Sequence, residues 1–362
     1  MPARKSTTNA VQLGGFPYAM GVFAGIVYFL FQHDLSSNWI IHRWMVSAGI
    51  VVLYGYLDDK YELRPIAKLI FQFVAVTFFA VTMSFEIISS YQVLAFIVLM
   101  FWSLGTMNGA NLLDGLDTLT IKMTISNLML VAYLFHQAGD YSYFPVLISF
   151  ATGLGAFYFF NKLPSIVHMG EIGGSFIGLA NVFLGCLIFD RLEGYPMGAR
   201  FVMSVMPLNI YMVETGISFL RRLYNKRSLF SGDKLHVHHL LRDEFKIKIN
   251  NVGTVMAIFH GVALALPLTF LKSFPVSSYF FYSFSLIGLY LYVGKNQWKG
   301  TDTLEMNPKS LFEYLRKKDV RVIESSQIDD FHIEFLNDAD GLTEDDLIIN
   351  FNDADINDKK AS

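Results

Sequence analysis

Apolar residues fall into ten long runs separated by short polar links: 13–32, 39–57, 66–84, 91–107, 118–137, 143–160, 174–190, 198–219, 252–271 and 277–294. A helix that crosses a bilayer needs roughly 20 mostly apolar residues, so each run predicts one crossing. The first run is too long and begins too late for a cleaved signal peptide, and no small-residue cleavage site follows it. The pattern predicts an all-α polytopic membrane protein with about ten transmembrane helices and polar loops between them.

Composition sharpens this picture. The 362 residues are 53% hydrophobic, 15% aromatic and only 16% charged, whereas soluble domains carry about 25% charged residues. From Asp302 onward there are sixteen acidic and seven basic residues, a net of −9, while the first 301 residues carry +6. The chain therefore divides into a membrane-embedded domain (1–295) and an acidic, partly disordered cytoplasmic tail (296–362). In the tail, Ser310–Arg321 predicts a basic amphipathic helix and Phe331, Ile333 and Phe335 at most a small strand. A calcium loop fails, because setting Gly341 at the sixth position puts Leu336 first and Leu347 twelfth, where carboxylates belong. No basic patch suits nucleic acid. The single Cys186 excludes a disulfide framework and a cysteine metal site.

Charge also orients the spans. Links after odd-numbered runs hold only Arg191 and Lys272, whereas the even-numbered side holds thirteen Lys and Arg. Excess Lys and Arg marks the cytoplasmic side, so both termini are expected there.

The polar residues gather on that same side. Run 2 ends in Asp58-Asp59-Lys60, and run 4 leads into Asn108, Asn111, Asp114 and Asp117. Run 6 leads to Asn161, His168 and Glu171; run 8 leads through Arg221 and Arg222 to His236, His238 and His239. Each cluster has a bland reading as solvated helix ends, turns or a surface histidine patch. Four clusters on one face of an apolar bundle suggest convergence instead, because ionisable groups at membrane depth are costly and usually functional. Carboxylates plus an amide oxygen suit Mg²⁺. Lys5, Lys60, Arg221, Arg222, Lys234 and the histidines suit phosphate oxygens. Together they point to metal-assisted phosphoryl transfer at the cytoplasmic leaflet, without naming a sugar.

The ordered set LDD (57–59), NxxNxxDGxD (108–117), NxxP…MGE…G (161–173) and HxHHL (236–240) resembles the polyprenyl-phosphate N-acetylhexosamine-1-phosphate transferases over residues 2–295. His236-Val237-His238-His239 looks more like the WecA-type branch than like MraY, which typically shows three consecutive histidines. The resemblance implies transfer of N-acetylglucosamine-1-phosphate from UDP-GlcNAc to undecaprenyl phosphate, with release of UMP. It implies Mg²⁺, or Mn²⁺ in its place, and a first membrane step of O-antigen or surface-polysaccharide synthesis in the bacterial inner membrane. The implied partners are the two substrates, membrane lipids and a second copy of the chain in a homodimer.

Carried over by position, Asp58 and Asp59 match an aspartate pair that activates the lipid phosphate, contacts metal, or both. Asn111 and Glu171 match metal positions. Asp117 and Asn161 match uracil contacts, and His168 sits where an aromatic ring packs on the uracil. Asp114, His236, His238 and His239 match polar positions around the sugar-phosphate, Lys5 matches a phosphate contact, and Asn108 and the two arginines join the substrate side.

Departures are present. Glu171 and Glu214 replace aspartates, Glu62 stands for a third aspartate, Gly174 replaces a serine with Ser175 adjacent, Thr118 replaces a glycine, and Thr7 a histidine. The extra methylene of Glu171 moves its carboxylate by about 1 Å, enough to cost about 10²-fold in rate. The chain starts at the PARK segment, so the family's first helix is expected to be missing. Two rivals follow: a catalytically reduced homologue that binds lipid phosphate or scaffolds glycan assembly, and a transporter, which broken helices and midspan charges would favour.

Overall fold

The computed structural model describes residues 14–32, 39–87, 92–162, 165–224, 236–243, 245–268 and 275–294. Lys5, Thr7, Lys234 and the acidic tail lie outside the described residues. The helices are α1 (Gly15–Gln32), α2 (Trp39–Tyr61), α3 (Pro65–Ile87), α4 (Gln92–Leu113), α5 (Leu119–Ala138) and α6 (Phe144–Asn161). They continue as α7 (Gly170–Arg191), α8 (Met197–Val205), α9 (Asn209–Tyr224), α10 (Val237–Asp243), α11 (Ile249–Leu268) and α12 (Pro275–Val293). Among the described residues each predicted run is mostly helical. Among the described residues α1, α2, α4, α5, α6 and α7 are long and apolar enough to cross a membrane. The protein is an all-α polytopic membrane protein.

Local chemistry sets several boundaries. Pro65 opens α3 and Pro145 lies in the first turn of α6, where a missing N–H costs nothing. Gly139 ends α5 at φ +69°, its amide returning to the carbonyls of Phe135 and His136.

The core is built around α7. Residues Ile172 to Phe189 are all buried, as expected of a helix that is apolar all round. Helices α1, α2, α4, α5 and α8 pack against it. Lipid offers apolar side chains no penalty, so close packing of small residues holds such a bundle together. At Gly55 a Cβ would lie 2.7 Å from the Ile172 Cα; α2 and α7 meet backbone to backbone there. This approach brings the end of α2 onto the first turn of α7. Deeper in the bundle Trp44 stacks on Phe183 at 4.8 Å and meets Phe150 and Phe176 edge-on, locking α2 to α6 and α7.

Three boundaries differ from expectation. The run 198–219 is not one helix: α8 gives way to a 3₁₀ turn, Met206–Leu208, before α9. Pro207 lacks the N–H that a continuous helix requires. Its carbonyl accepts Asn127 Nδ2 at 3.2 Å, and Asn127 also donates to Asn181 Oδ1 at 2.8 Å. His260 Nε2 lies 2.7 Å from Asn127 Oδ1, and the Tyr282 hydroxyl 2.8 Å from His260 Nδ1. The Asn127 amide thus meets the Pro207 carbonyl at the break inside the bundle, where backbone groups need a partner. Secondly, α4 runs on through Asn108 and Asn111, and α7 begins at Gly170 rather than 174; the polar motifs lie in helix ends. Thirdly, the histidine link contains a short helix, α10, that periodicity did not reveal.

Candidate active site

The end of α2 meets the start of α7 through Asp59. Its Oδ1 accepts the Glu171 amide at 2.8 Å and its Oδ2 the Ile172 amide at 3.3 Å. The first amides of a helix have no partner in their own helix, and the helix dipole favours an anion there. No side chain of the α7 N-cap residue, Met169, caps it. Asp59 does so from 112 residues away in sequence.

Asp58 turns the other way. Its Oδ1 accepts the Leu63 amide at 2.8 Å, which closes the turn into α3 across Glu62, at φ +49°. Its Oδ2 lies 2.6 Å from Lys68 Nζ, and the same ammonium is 3.5 Å from Glu171 Oε2. Glu171 Oε1 accepts Asn111 Nδ2 at 2.6 Å and Ser175 Oγ at 3.3 Å. Asn111 Nδ2 also reaches Ser175 Oγ at 2.9 Å. Behind them the Tyr54 hydroxyl donates to Ser175 Oγ, Gln72 Nε2 donates to the Tyr54 oxygen at 3.1 Å, and Asn108 Nδ2 donates to Gln72 Oε1 at 3.2 Å. Four helices contribute to one connected polar centre.

Lys68, Tyr54, Gln72 and Ser175 were not among the sequence-derived site residues. Lys68 had a signal: it is the sole charged residue in the run 66–84, and a lone ionisable group in a span marks function. Lys60, named in its place, is exposed and rests over the rings of Tyr56 and Tyr61.

A second group forms where α4 turns into α5. Asp117 Oδ1 lies 3.2 Å from His168 Nδ1. Asn161 Oδ1 accepts the Thr118 amide at 2.7 Å while its Nδ2 donates to the Val167 carbonyl at 2.9 Å. The structure thus joins the 108–117 motif to the 161–173 motif, through Asp117 with His168 and Thr118 with Asn161. Thr118 takes φ +63°, a left-handed conformation that costs a side-chain-bearing residue roughly 1–2 kcal/mol and that glycine adopts freely. Thr118→Gly is therefore expected to raise stability by about 1 kcal/mol, read as a higher melting temperature in detergent; an unchanged or lower value would show that the Thr118 side chain offsets the strain.

The histidines form a third group. The rings of His236 and His238 lie parallel with centroids 5.7 Å apart, and His239 is 4.2 Å from His238. A Cβ on Gly115 would meet His238 Nε2 at 2.1 Å, so this ring lies directly on the backbone of the loop that carries Asp114 and Asp117. Asp114 closes α4, its amide bonded to the Ala110 carbonyl at 3.0 Å. Arg221 and Arg222 are buried in the last turn of α9, and His236 Nδ1 lies 2.6 Å from Glu214 Oε1.

The metal expectation can be tested on donor chemistry. Asp58 and Glu171 both aim an oxygen at one cationic group, the Lys68 ammonium, and Asn111 adds an amide beside them. Among the described residues no three His, Cys, Asp or Glu side chains form a metal-holding group, which disfavours a site built wholly from protein ligands. Mg²⁺ needs only one or two carboxylates, with waters and substrate phosphates completing its shell. The residues fit it.

Residues 41–189 match the model of glycosyl transferase family 4. Over 241 residues the chain is 26% identical to a Bacillus subtilis protein named probable undecaprenyl-phosphate N-acetylglucosaminyl 1-phosphate transferase, covering 64% of this chain and 65% of that one. A Saccharolobus solfataricus protein, whose name couples UDP-N-acetylglucosamine with dolichyl phosphate, is 29% identical over 177 residues, 46% of this chain and 55% of its own. A Streptococcus sanguinis phospho-N-acetylmuramoyl-pentapeptide-transferase is 28% identical over 186 residues, 46% and 56% of the two chains. The matched part spans between about half and two thirds of these relatives.

Proposed function

We propose that the chain, whose residues 41–189 match the model of glycosyl transferase family 4, is a member of that family and transfers N-acetylglucosamine-1-phosphate from UDP-GlcNAc to undecaprenyl phosphate, releasing UMP. The setting proposed is the cytoplasmic face of a bacterial inner membrane, at the start of O-antigen or surface-polysaccharide assembly. The observation that carries the reading is the convergence of Asp58, Glu171, Asn111 and Lys68, from four helices, at the bundle end that also holds the Asp117 group and the histidines.

In the proposed reaction a lipid-phosphate oxygen attacks the β-phosphorus of the UDP-sugar. The bond from that phosphorus to the bridging oxygen breaks, and the electron pair leaves with UMP. A phosphate monoester has its second pKa near 6, so the attacking oxygen is already anionic at neutral pH and needs no general base. This gives the aspartates a different task. Asp59 holds the first turn of α7, and through it Glu171; Asp58 holds Lys68. Lys68, Arg221, Arg222 and the histidines face phosphate charge, and fixed charges of this kind act strongly in a site that excludes water. Asp117, Asn161 and His168 take the uracil. Mg²⁺, held by Glu171 and Asn111 with Asp58 beside them, would supply charge neutralisation on the diphosphate.

Membranes carrying the protein, incubated with radiolabelled UDP-GlcNAc, undecaprenyl phosphate and Mg²⁺, are expected to yield organic-phase label that added UMP chases back. Label appearing only from UDP-N-acetylmuramoyl-pentapeptide would overturn the sugar assignment. No label from either donor would favour a catalytically reduced, lipid-phosphate-binding homologue.

A further inference from the structure

One buried carboxylate has no task in the transfer chemistry. Glu214, in the second turn of α9, is 1% exposed, and a buried carboxylate is costly unless its oxygens are satisfied. Here donors from α9, from α12 and from the residue before α10 meet it. Oε1 lies 2.6 Å from His236 Nδ1 and 3.4 Å from Ser218 Oγ on its own helix. Oε2 accepts the Tyr290 hydroxyl of α12 at 2.5 Å.

The consequence for His236 is specific. An ionised carboxylate only accepts, so His236 donates to it through Nδ1–H. This fixes both the plane of the ring and the nitrogen that carries the proton toward Glu214. His236 lies parallel to His238, whose ring rests on the Gly115 backbone between Asp114 and Asp117. A tilt of His236 is therefore passed to the ring that borders the 114–117 loop. Helix α12 joins the same arrangement through Tyr290, which donates to the second oxygen and leaves the first to His236.

We infer that Glu214 is a positioning residue: acting through His236, it sets the orientation and tautomer of the histidine cluster against the 114–117 loop. The inference rests on the transfer reading. Glu214 touches no reacting atom in it; a carboxylate that only tied α9 to α12 would produce no coupling to His236.

The test uses the full chain in nanodiscs with UDP-GlcNAc and undecaprenyl phosphate. Glu214→Gln is expected to lower kcat about 10²-fold, the cost of a misplaced group, with KM for the UDP-sugar changed by no more than about 3-fold. Glu214→Asp should recover most of that loss. In a double-mutant cycle, Glu214→Gln should cost nothing further in a His236→Ala background, because residues that act as a unit are not additive. Multiplying losses, or an unchanged kcat in Glu214→Gln, would overturn the inference. Should Glu214→Gln fail to fold, Tyr290→Phe carries the test: it leaves the carboxylate on His236, so a loss of no more than about 5-fold is expected and a loss of about 10²-fold overturns the inference. Diethyl pyrocarbonate labelling, mapped by mass spectrometry, needs no activity and separates this inference from the transfer reading. Glu214→Gln should raise the labelling rates of His236 and His238 together several-fold; unchanged rates overturn the inference even where the wild type transfers nothing.

Discussion

Glu171→Gln should reduce the proposed transfer by at least about 10²-fold while the chain still inserts and keeps its melting temperature. Gln has the volume of Glu, so α7 packs as before, but it offers one neutral oxygen where the carboxylate offers two charged ones. Glu171 now answers Asn111 and Ser175 through Oε1 and Lys68 through Oε2. With the charge gone, Lys68 is drawn wholly to Asp58, and the centre loses the pair of carboxylates that Mg²⁺ would use. Losing a fixed charge at a reacting phosphate costs on the order of 10²–10³ in rate. Glu171→Asp should also be slower than the native chain, because shortening withdraws Oε1 from Asn111 and Oε2 from Lys68. A rise in rate on Glu171→Asp would mean that the longer side chain weakens the native enzyme. Both outcomes are read from initial rates of lipid labelling, normalised to folded protein.

Gly174→Ala is expected to have a comparable effect from a position that carries no chemistry. A Cβ there would lie 1.9 Å from Asn111 Oδ1 and 3.0 Å from its Cγ, well inside contact. The Asn111 amide would have to swing aside and give up its bonds to Glu171 at 2.6 Å and Ser175 at 2.9 Å. Overpacking a fully packed helix typically costs about 1–3 kcal/mol, so the melting temperature should fall as well. The rate should fall by about 10²-fold, and Asn111→Ala should add little in the Gly174→Ala background. Full activity in Gly174→Ala would show that the Asn111–Glu171 contact is dispensable. The argument also joins two departures that look independent in sequence. A glutamate in place of an aspartate and a glycine in place of a serine both border Asn111, one lengthening the reach toward it and the other clearing space beside it. Ser175, one position on, supplies the hydroxyl.

The amino-acid sequence by itself determined the helical membrane architecture, because a run of about 20 apolar residues has one stable form in a bilayer and its length shows in composition alone. It also determined which links are candidates for the chemistry: Asp58-Asp59, Asn108 to Asp117, Asn161 to Glu171 and the histidines are polar where an apolar bundle has no use for polarity. The break in the run 198–219 was not read as one, although Pro207 in the middle of the predicted crossing carried its signal. What only the tertiary structure decided is who meets whom. Asp59 caps α7, because Gly55 lets α2 approach α7 closely enough. Lys68 rather than Lys60 is the cation between the carboxylates, because α3 turns back along α2 after Leu63 and carries the ammonium to Asp58. Glu214 reaches His236 across 22 positions, and Tyr290 across 76. Spacing along a chain describes contacts within one helix, set by a fixed rise and turn; contacts between helices depend on how closely two backbones can approach, and that is settled by the small residues and side chains packed between them.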